Sequence, residues 1–256
     1  MSLTTRQDQI CEWIAKQGEC SIDALVKRFG VSGMTVRRDL HALAERGKVI
    51  RTHGGATMAE RVSFEFDFLH RVREHEAAKR QIAVAAAAQI ENGQSVMLDS
   101  GTTTLELAKR LREKQGLTVV TTSLPIAAQL QYDRHIEVLL LGGYVRPSAP
   151  DLAGPLTETN LESLRADVAV IGACGVDRRG AVYQDSPEIA RMLTKMAASA
   201  ARVFVVADSS KLGRTALWRF GRLQDWGGLV TDAAADRSML TALRKAGARV
   251  IVAPRG

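Results

Sequence analysis

Seven short apolar runs punctuate the chain from residue 96 onward: Val96–Leu98, Leu117–Val120, Val138–Leu141, Val168–Ile171, Val203–Val206, Leu229–Val230 and Val250–Val252. Most are followed by small polar residues and then by sequence of helical period. Continuous apolar runs without in-and-out alternation belong to strands covered on both faces. Strands that alternate with helices pair in parallel through crossovers. The pattern therefore predicts an α/β domain built on a Rossmann-like, mostly parallel sheet.

In such a sheet ligands bind beyond the carboxyl ends of the strands. The residues after each run are thus the candidate contacts: Asp99-Ser100-Gly101-Thr102-Thr103-Thr104, Thr121-Thr122-Ser123, Gly142-Gly143, Gly172 to Asp177, and Asp208-Ser209-Ser210-Lys211. Hydroxyls, bare backbone and one lysine gather there. The first group precedes a helical stripe, Leu105, Leu107, Ala108 and Leu111, so its N–H groups and threonines stand at a helix N-terminus, where an anion is favoured. The loop is not a Walker motif, because the lysine and spacing of that motif are missing. A helix terminus contributes only ~0.3–1 kcal/mol to an exposed anion. A second charge is required, and Lys211 is its donor, at ~1.5–3 kcal/mol for a charge-assisted hydrogen bond.

The first fifty residues have a different period. Ile10, Trp13 and Ile14 form one helical face that Gly18 closes. Ser21 then opens a second stripe, Ile22, Leu25, Val26 and Phe29, which stops at Gly30. Ser32 caps a third helix, with Met34, Val36, Leu40 and Leu43 on its apolar face. Two short capped helices joined through a glycine predict a helix-turn-helix. Its last helix puts Ser32 and Thr35 first and Arg37 and Arg38 a turn later, the order of a helix that enters the major groove. One arginine can grip guanine in bidentate fashion for ~1–3 kcal/mol of discrimination, while the other grips phosphate; the order of residues leaves open which does which. Asp39 would be repelled by phosphate and is expected to pair with a neighbouring arginine. Lys48, Arg51 and His53, with Val49-Ile50 as a strand and Gly54-Gly55 as a turn, predict a basic wing. A net charge of +7 agrees with a polyanionic partner.

Residues 58–76 read as a linker between residues 1–57 and 77–256. Phe64, Phe66 and Phe68 alternate briefly with Glu65 and Asp67, which would also suit an edge strand, before charge takes over. An alanine-rich helix is expected from Lys79 through Ile82, Ala83, Ala86 and Ile90 to Asn92-Gly93.

Cys11, Cys20 and Cys174 form no CxxC pair and predict reduced thiols, and His41, His53, His70, His75 and His135 lack metal-ligand spacing. No run approaches the ~18 apolar residues of a membrane span, which predicts a cytoplasmic chain without a membrane partner. No metal or cofactor is expected.

Val31-Ser32 with Thr35-Val36-Arg37-Arg38-Asp39-Leu40, followed by Arg51-Thr52-His53-Gly54-Gly55-Ala56, resembles the signature of the DeoR family of regulators. The resemblance continues through Asp99-Ser100-Gly101-Thr102-Thr103, Leu141-Gly142-Gly143 and Ala207-Asp208-Ser209-Ser210-Lys211. It implies a winged helix-turn-helix joined to a sugar-phosphate-sensing domain similar to ribose-5-phosphate isomerase and coenzyme A transferases. DNA would be read by Ser32, Met34, Thr35, Arg37, Arg38, Lys48, Arg51 and His53. The effector would be lined by Asp99, Ser100, Gly101, Thr102, Thr103, Thr104, Thr122, Gly142, Gly143, Asp177 and Lys211. Two departures stand out. Thr121-Thr122-Ser123 replaces the expected Thr-Asn-Ser, which removes an amide donor and acceptor, and Ala78 stands before Lys79 where an acidic residue is usual.

A sugar isomerase with an appended DNA module would need a general base and an acid near one carbon, for which Asp99, Asp177 and Glu188 are the available carboxylates. A ligand-independent DNA-binding protein would leave the hydroxyl-rich loops without a use. The expectation is a non-enzymatic regulator, a repressor of a sugar operon that acts as a homodimer or homotetramer on double-stranded operator DNA.

Overall fold

The computed structural model describes residues 3–58, 68, 70–146 and 149–254. The chain forms two compact units that divide between His70 and Arg71.

The first unit packs three helices on a small sheet. Helix α1 (Leu3–Gln17) is followed by strand β1 (Glu19–Ser21), α2 (Ile22–Phe29), α3 (Gly33–Glu45), β2 (Val49–Arg51) and β3 (Gly55–Met58). Ile10, Ile14, Leu25, Val36, Leu40, Leu43 and Val49 are sealed into one core. Ser21 caps α2 through the N–H of Ala24, and Gly30 ends it in the left-handed region with its N–H on Val26 O at 2.9 Å. The apolar stripe of α3 departs from expectation at Met34, which is 72% exposed. Position 34 lies one turn ahead of 37 and 38 and shares their outward face rather than that of Val36 and Leu40.

Strand β1 was not foreseen, because three residues carry no period. It pairs antiparallel with β3, Ser21 opposite Gly55, to give the order β1-β3-β2. Gly55 permits this, since a Cβ there would stand 2.0 Å from Cys20 O. Strand β3 runs on to Met58, one residue past the expected boundary. The alternation of Phe64 and Phe66 with Glu65 and Asp67 lies outside the described residues, while Phe68 and residues 70–73 are helical.

In the second unit α4 (Glu76–Ala87) begins three residues before Lys79, after His75 in the left-handed region at φ 51°. The parallel sheet then comprises β4 (Ser95–Leu98), β5 (Leu117–Thr121), β6 (Ile136–Leu140), β9 (Ala166–Gly172), β12 (Ala200–Val206), β14 (Gly228–Thr231) and β15 (Val250–Val252). Their order is β15-β14-β12-β9-β4-β5-β6, and every pair in it is parallel. All seven expected strands are present.

Crossovers through α5 (Thr102–Leu111) and α6 (Leu124–Leu130) carry the chain outward from β4 in one direction. The long link from β6 to β9 carries α7 (Pro155–Glu162), and crossovers through α8 (Pro187–Ala198) and α9 (Arg237–Lys245) carry the chain the other way from β9. Because such connections are right-handed, the two sets of helices cover opposite faces. The sheet thus switches direction between β4 and β9. Two features without a repeating pattern were not foreseen: the pair β7 (Tyr144–Val145) and β8 (Leu152–Ala153), and a three-stranded sheet of β10 (Gly175–Val176), β11 (Ala181–Gln184) and β13 (Trp218–Arg222).

Gly55→Ala is expected to destabilise the first unit by about 1–3 kcal/mol, the cost of overpacking a filled site. Hydrogen exchange of the amides of residues 19–21 and 55–58 would rise in the variant, and unchanged protection there would refute the close approach.

Candidate functional site

Two groups of residues stand out, one in each unit. On α3, Met34, Arg37, Arg38 and His41 are all exposed, at i, i+3, i+4 and i+7, and form a single stripe opposite the buried Val36, Leu40 and Leu43. Ser32 Oγ accepts the N–H of Thr35 at 3.2 Å and lies 3.0 Å from its hydroxyl, which fixes the start of the helix. His41 belongs to this stripe and was missed, although the spacing from Met34 could have found it.

Asp39 is fully buried and faces away from the stripe. It does not pair with Arg37 or Arg38 but with α1: Arg6 Nε donates to Oδ2 at 2.7 Å and Gln7 Nε2 to Oδ1 at 3.2 Å. Arg46 in turn donates to Gln7 Oε1 at 3.3 Å. The carboxylate is therefore removed from the surface that phosphate would meet, and α3 is locked to α1. In the wing, Arg51 and His53 are exposed, and Thr52 N donates to Gly55 O at 3.1 Å across the turn. Lys48 is drawn instead toward Asp8 of α1, at 3.9 Å.

In the second unit the candidate contacts follow five adjacent strands, β12, β9, β4, β5 and β6. Asp99 bridges the switch point: its Oδ2 accepts the N–H of Gly172, at the end of β9, at 2.7 Å. Thr104 Oγ1 accepts the N–H of Gly101 at 2.9 Å and lies 2.9 Å from Asp99 O, so this hydroxyl holds the loop. Thr102 is buried and Thr103 partly exposed in the first turn of α5. Thr121 Oγ1 donates to Leu98 O at 2.8 Å and joins the β5 loop to β4.

Three buried atoms at these loops have no protein partner: Asp99 Oδ1, Ser100 Oγ and Thr122 Oγ1. Burying a polar group without a partner costs about 1–3 kcal/mol, and more for a charge. Burial accordingly pushes the Asp99 carboxyl up to about 6, against the pull of the Gly172 N–H and of the nearby Thr104 hydroxyl, which points its own hydrogen bonds at the backbone of Asp99 and Gly101.

The remaining candidates divide. Lys211 lies half-buried in a 3-10 turn capped by Asp208, whose Oδ1 accepts the N–H of Ser210 at 3.0 Å. Gly142 and Gly143 serve packing: Gly142 O accepts the hydroxyl of Thr157 at 2.6 Å, and a Cβ on Gly143 would stand 2.5 Å from Ala153 O. Asp177 is occupied by its own hairpin, accepting from Arg179 N and Ala181 N, both at 2.9 Å, and from the Tyr183 hydroxyl at 3.0 Å. Sequence reasoning missed Arg146 and Asp151, a bidentate pair at 2.6 and 2.7 Å next to the β5 loop, where Leu152 N donates to Thr122 O at 2.9 Å. Each lies outside the repeating pattern that marked the other loops. Cys174 donates to Gln184 Oε1 at 2.9 Å, and burial pushes its thiol up to about 11, away from the thiolate form.

Residues 6–62 match the model of the DeoR-like helix-turn-helix domain, and residues 74–233 match that of the DeoR C terminal sensor domain. The chain belongs to the DeoR family. It is 31% identical to the putative aga operon transcriptional repressor of Escherichia coli O157:H7, over 96% of this chain and 93% of that protein. It is 32% identical to the HTH-type transcriptional regulator GlpR of Haloferax volcanii, over 96% of each. The glycerol-3-phosphate regulon repressor of Escherichia coli K12 is 31% identical, over 95% of this chain and 96% of that protein. Among solved structures, ribose 5-phosphate isomerase A of Methanocaldococcus jannaschii aligns over 54% of this chain and 55% of that one, with 17% identity and a TM-score of 0.41.

As a DeoR family member the chain is a DNA-binding transcription regulator with an effector-sensing domain, not an enzyme. The site agrees with that assignment. Asp177 is consumed by its hairpin, and Glu188, at the start of α8, accepts the Tyr144 hydroxyl at 3.0 Å. Asp99 is left without a second carboxylate to act as its acid or base partner among the three considered. Among the described residues no helix is long and apolar enough to cross a membrane.

The raised Asp99 pKa has a consequence for stability. With about 6 in the folded state against an ordinary 3.8, the folded protein binds more protons than the unfolded one between these values, so stability falls as pH rises through that window. Asp99→Asn removes the charge and keeps an acceptor for Gly172. It should stabilise the ligand-free protein at pH 7.5 by on the order of 1–3 kcal/mol, with the advantage shrinking toward pH 4. Thermal melts across that range test this, and a variant less stable than the parent at pH 7.5 would refute it.

Proposed function

We propose that the chain is a cytoplasmic, homo-oligomeric repressor of a carbohydrate-catabolic operon, released from or tightened on its operator by a phosphorylated sugar or polyol bound at the carboxyl ends of β12, β9, β4 and β5. The observation that carries this reading is the set of buried, unpartnered oxygens of Asp99, Ser100 and Thr122 beside the N-terminus of α5. An ionised Asp99 accepts hydrogen bonds and does not donate them. It therefore suits a ligand hydroxyl, while the α5 terminus and Lys211 suit an anion. A molecule with both, a sugar or polyol phosphate, satisfies the whole set. The names of the relatives, among them a glycerol-3-phosphate regulon repressor, point in the same direction.

In this reading Ser32, Met34, Thr35, Arg37, Arg38, Arg51 and His53 meet the operator, joined by His41, with Lys48 turned toward α1. Ser100, Gly101, Thr102, Thr103, Thr122 and Lys211 meet the effector with Asp99, while Thr104, Gly142, Gly143 and Asp177 shape the loops around it. Thr122, with one hydroxyl in place of an amide, makes a smaller contact than the family pattern and so admits a different ligand. The functional division follows residues 1–57 for DNA and 77–256 for sensing, with 58–76 joining them.

A regulator of this kind needs its two states to differ in ligand affinity, and a coupling of ~1–3 kcal/mol changes operator affinity about 5- to 150-fold. Gel shifts on DNA upstream of the chain's own gene, at fixed salt and with a panel of sugar phosphates and their neutral forms, test the proposal. Arg37→Ala should abolish specific binding, and Lys211→Ala should retain it but lose the response. Loss of both properties in either variant, or indifference to every compound, would overturn it.

A further inference from the structure

We propose that the outer edge of β6 is the surface through which two copies of this chain pair, β6 running antiparallel to its own copy about a two-fold axis at Val138. The inference rests on the homo-oligomeric reading above and gives it a surface. Strand β6 ends the seven-stranded sheet, with β5 as its one neighbour among the described residues. His135 O accepts the N–H of Leu117, and Leu141 N donates to Thr121 O at 2.9 Å, so the odd-numbered positions turn their backbone groups toward β5. Successive residues of a strand alternate in this respect. Ile136, Val138 and Leu140 therefore turn N–H and C=O outward.

An open edge is a template for another strand, and folded chains blunt it by shortness, charge, proline or a bulge. Other edges of this molecule conform. Strand β15 has three residues, while β13, at the rim of the smaller sheet, carries Arg219 and Arg222 and shifts register along β11. Strand β6 has five residues, an unbroken register, no proline and a single charge, Glu137. Large apolar side chains lie exposed around it: Leu139 and Leu140 on its two faces, Tyr144 and Val145 of β7, and Leu156 of α7, each between 38% and 58%. The last of these adjoin, since a Cβ on Gly142 would stand 3.2 Å from Leu156 and one on Gly154 would stand 2.3 Å from the Tyr144 ring. Together the five expose on the order of 500 Å², a size at which a patch marks an interaction site. A stable dimer buries about 800 Å² on each partner, so the patch supplies the apolar core of such an interface and the strand edge its polar part.

A second β6 fits this edge in register. With the axis at Val138, Ile136 lies opposite Leu140 of the second copy and Val138 opposite itself, so each outward backbone group of the strand finds a partner. Glu137 falls opposite Leu139 of the second copy. An axis at Glu137 would set two carboxylates face to face, which is unfavourable, and one at Leu139 would leave Ile136 beyond the strand's end. A regulator that reads paired half-sites needs a two-fold of this kind.

Sedimentation equilibrium and hydrogen exchange of the full-length protein test the pairing. The parent should be a dimer or an assembly of dimers, and the amides of Ile136, Val138 and Leu140 should be protected at micromolar concentration and exchange faster on dilution. Val138→Pro removes an outward N–H and spares the bonds to β5, while Leu139→Glu sets a carboxylate opposite Glu137 of the second copy. Each should weaken association about 100-fold or more, and Glu137→Arg added to Leu139→Glu should restore most of the loss. Circular dichroism checks that the variants are folded, and the exchange measurement on the parent decides the matter if one is not. A parent oligomer whose mass survives both substitutions, or whose three amides exchange freely at every concentration, would overturn the inference and leave the homo-oligomer standing. A parent that is monomeric throughout would overturn both.

Discussion

Strand β4 is paired on both sides in parallel, with β9 and with β5, and the chain runs away from it in opposite directions across the sheet. Nearly everything in the sensor unit depends on that constraint. Where two neighbouring strands send their crossovers to opposite faces, the loops above them diverge and leave a crevice. One side chain spans the gap: Asp99 leaves the end of β4 and takes the amide of Gly172 at the end of β9. The contact holds the two halves of the sheet together at their upper edge. It also leaves the other carboxylate oxygen buried and unmatched, a cost that a bound hydroxyl can offset.

In the first unit a buried carboxylate performs a different task. Asp39 sits on the same helix as Arg37 and Arg38, and a charge of the wrong sign on the outer face would weaken any phosphate contact. Turning it inward requires partners, which α1 supplies in Arg6 and Gln7. A buried ion pair of this kind contributes little to net stability compared with apolar packing. What it does is fix the rotation of α3, so that 34, 37, 38 and 41 point outward together.

The repeating parts of the sequence were the legible ones. Seven apolar runs announced seven strands, because the inner strands are buried on both faces and have few polar positions to hide them, while the edge strands β6 and β15 kept the apolar run although Leu139 and Leu140 are exposed and β15 is only partly buried. Capping serines and glycines marked the helices of the first unit. Met34 misled because an apolar residue was counted toward the apolar face, when its place in the turn put it with the arginines. Strand β1 and the β7 and β8 pair were invisible because segments of two or three residues develop no period. Arg146 with Asp151, only five residues apart, was invisible because both lie in a connecting stretch that repeats nothing. The loops after the strands were identified by position, but their division of labour was not: nothing in the letters separates Asp99, with an oxygen to spare, from Asp177, fully committed to its own turn.

The pairing of β4 with β9 also sets an order in time. Among the described residues, the core cluster of the first unit has been made once the ribosome passes Met58, whereas the bridge from Asp99 must wait for Gly172. At ordinary elongation rates the intervening residues take roughly 5–20 s, and units fold as they emerge. During that interval the nascent chain carries a finished DNA-reading module without a finished sensor, and its Asp99 is still in water, ionised as any exposed aspartate is. The strained acidity of the crevice is created only at the moment the sheet closes.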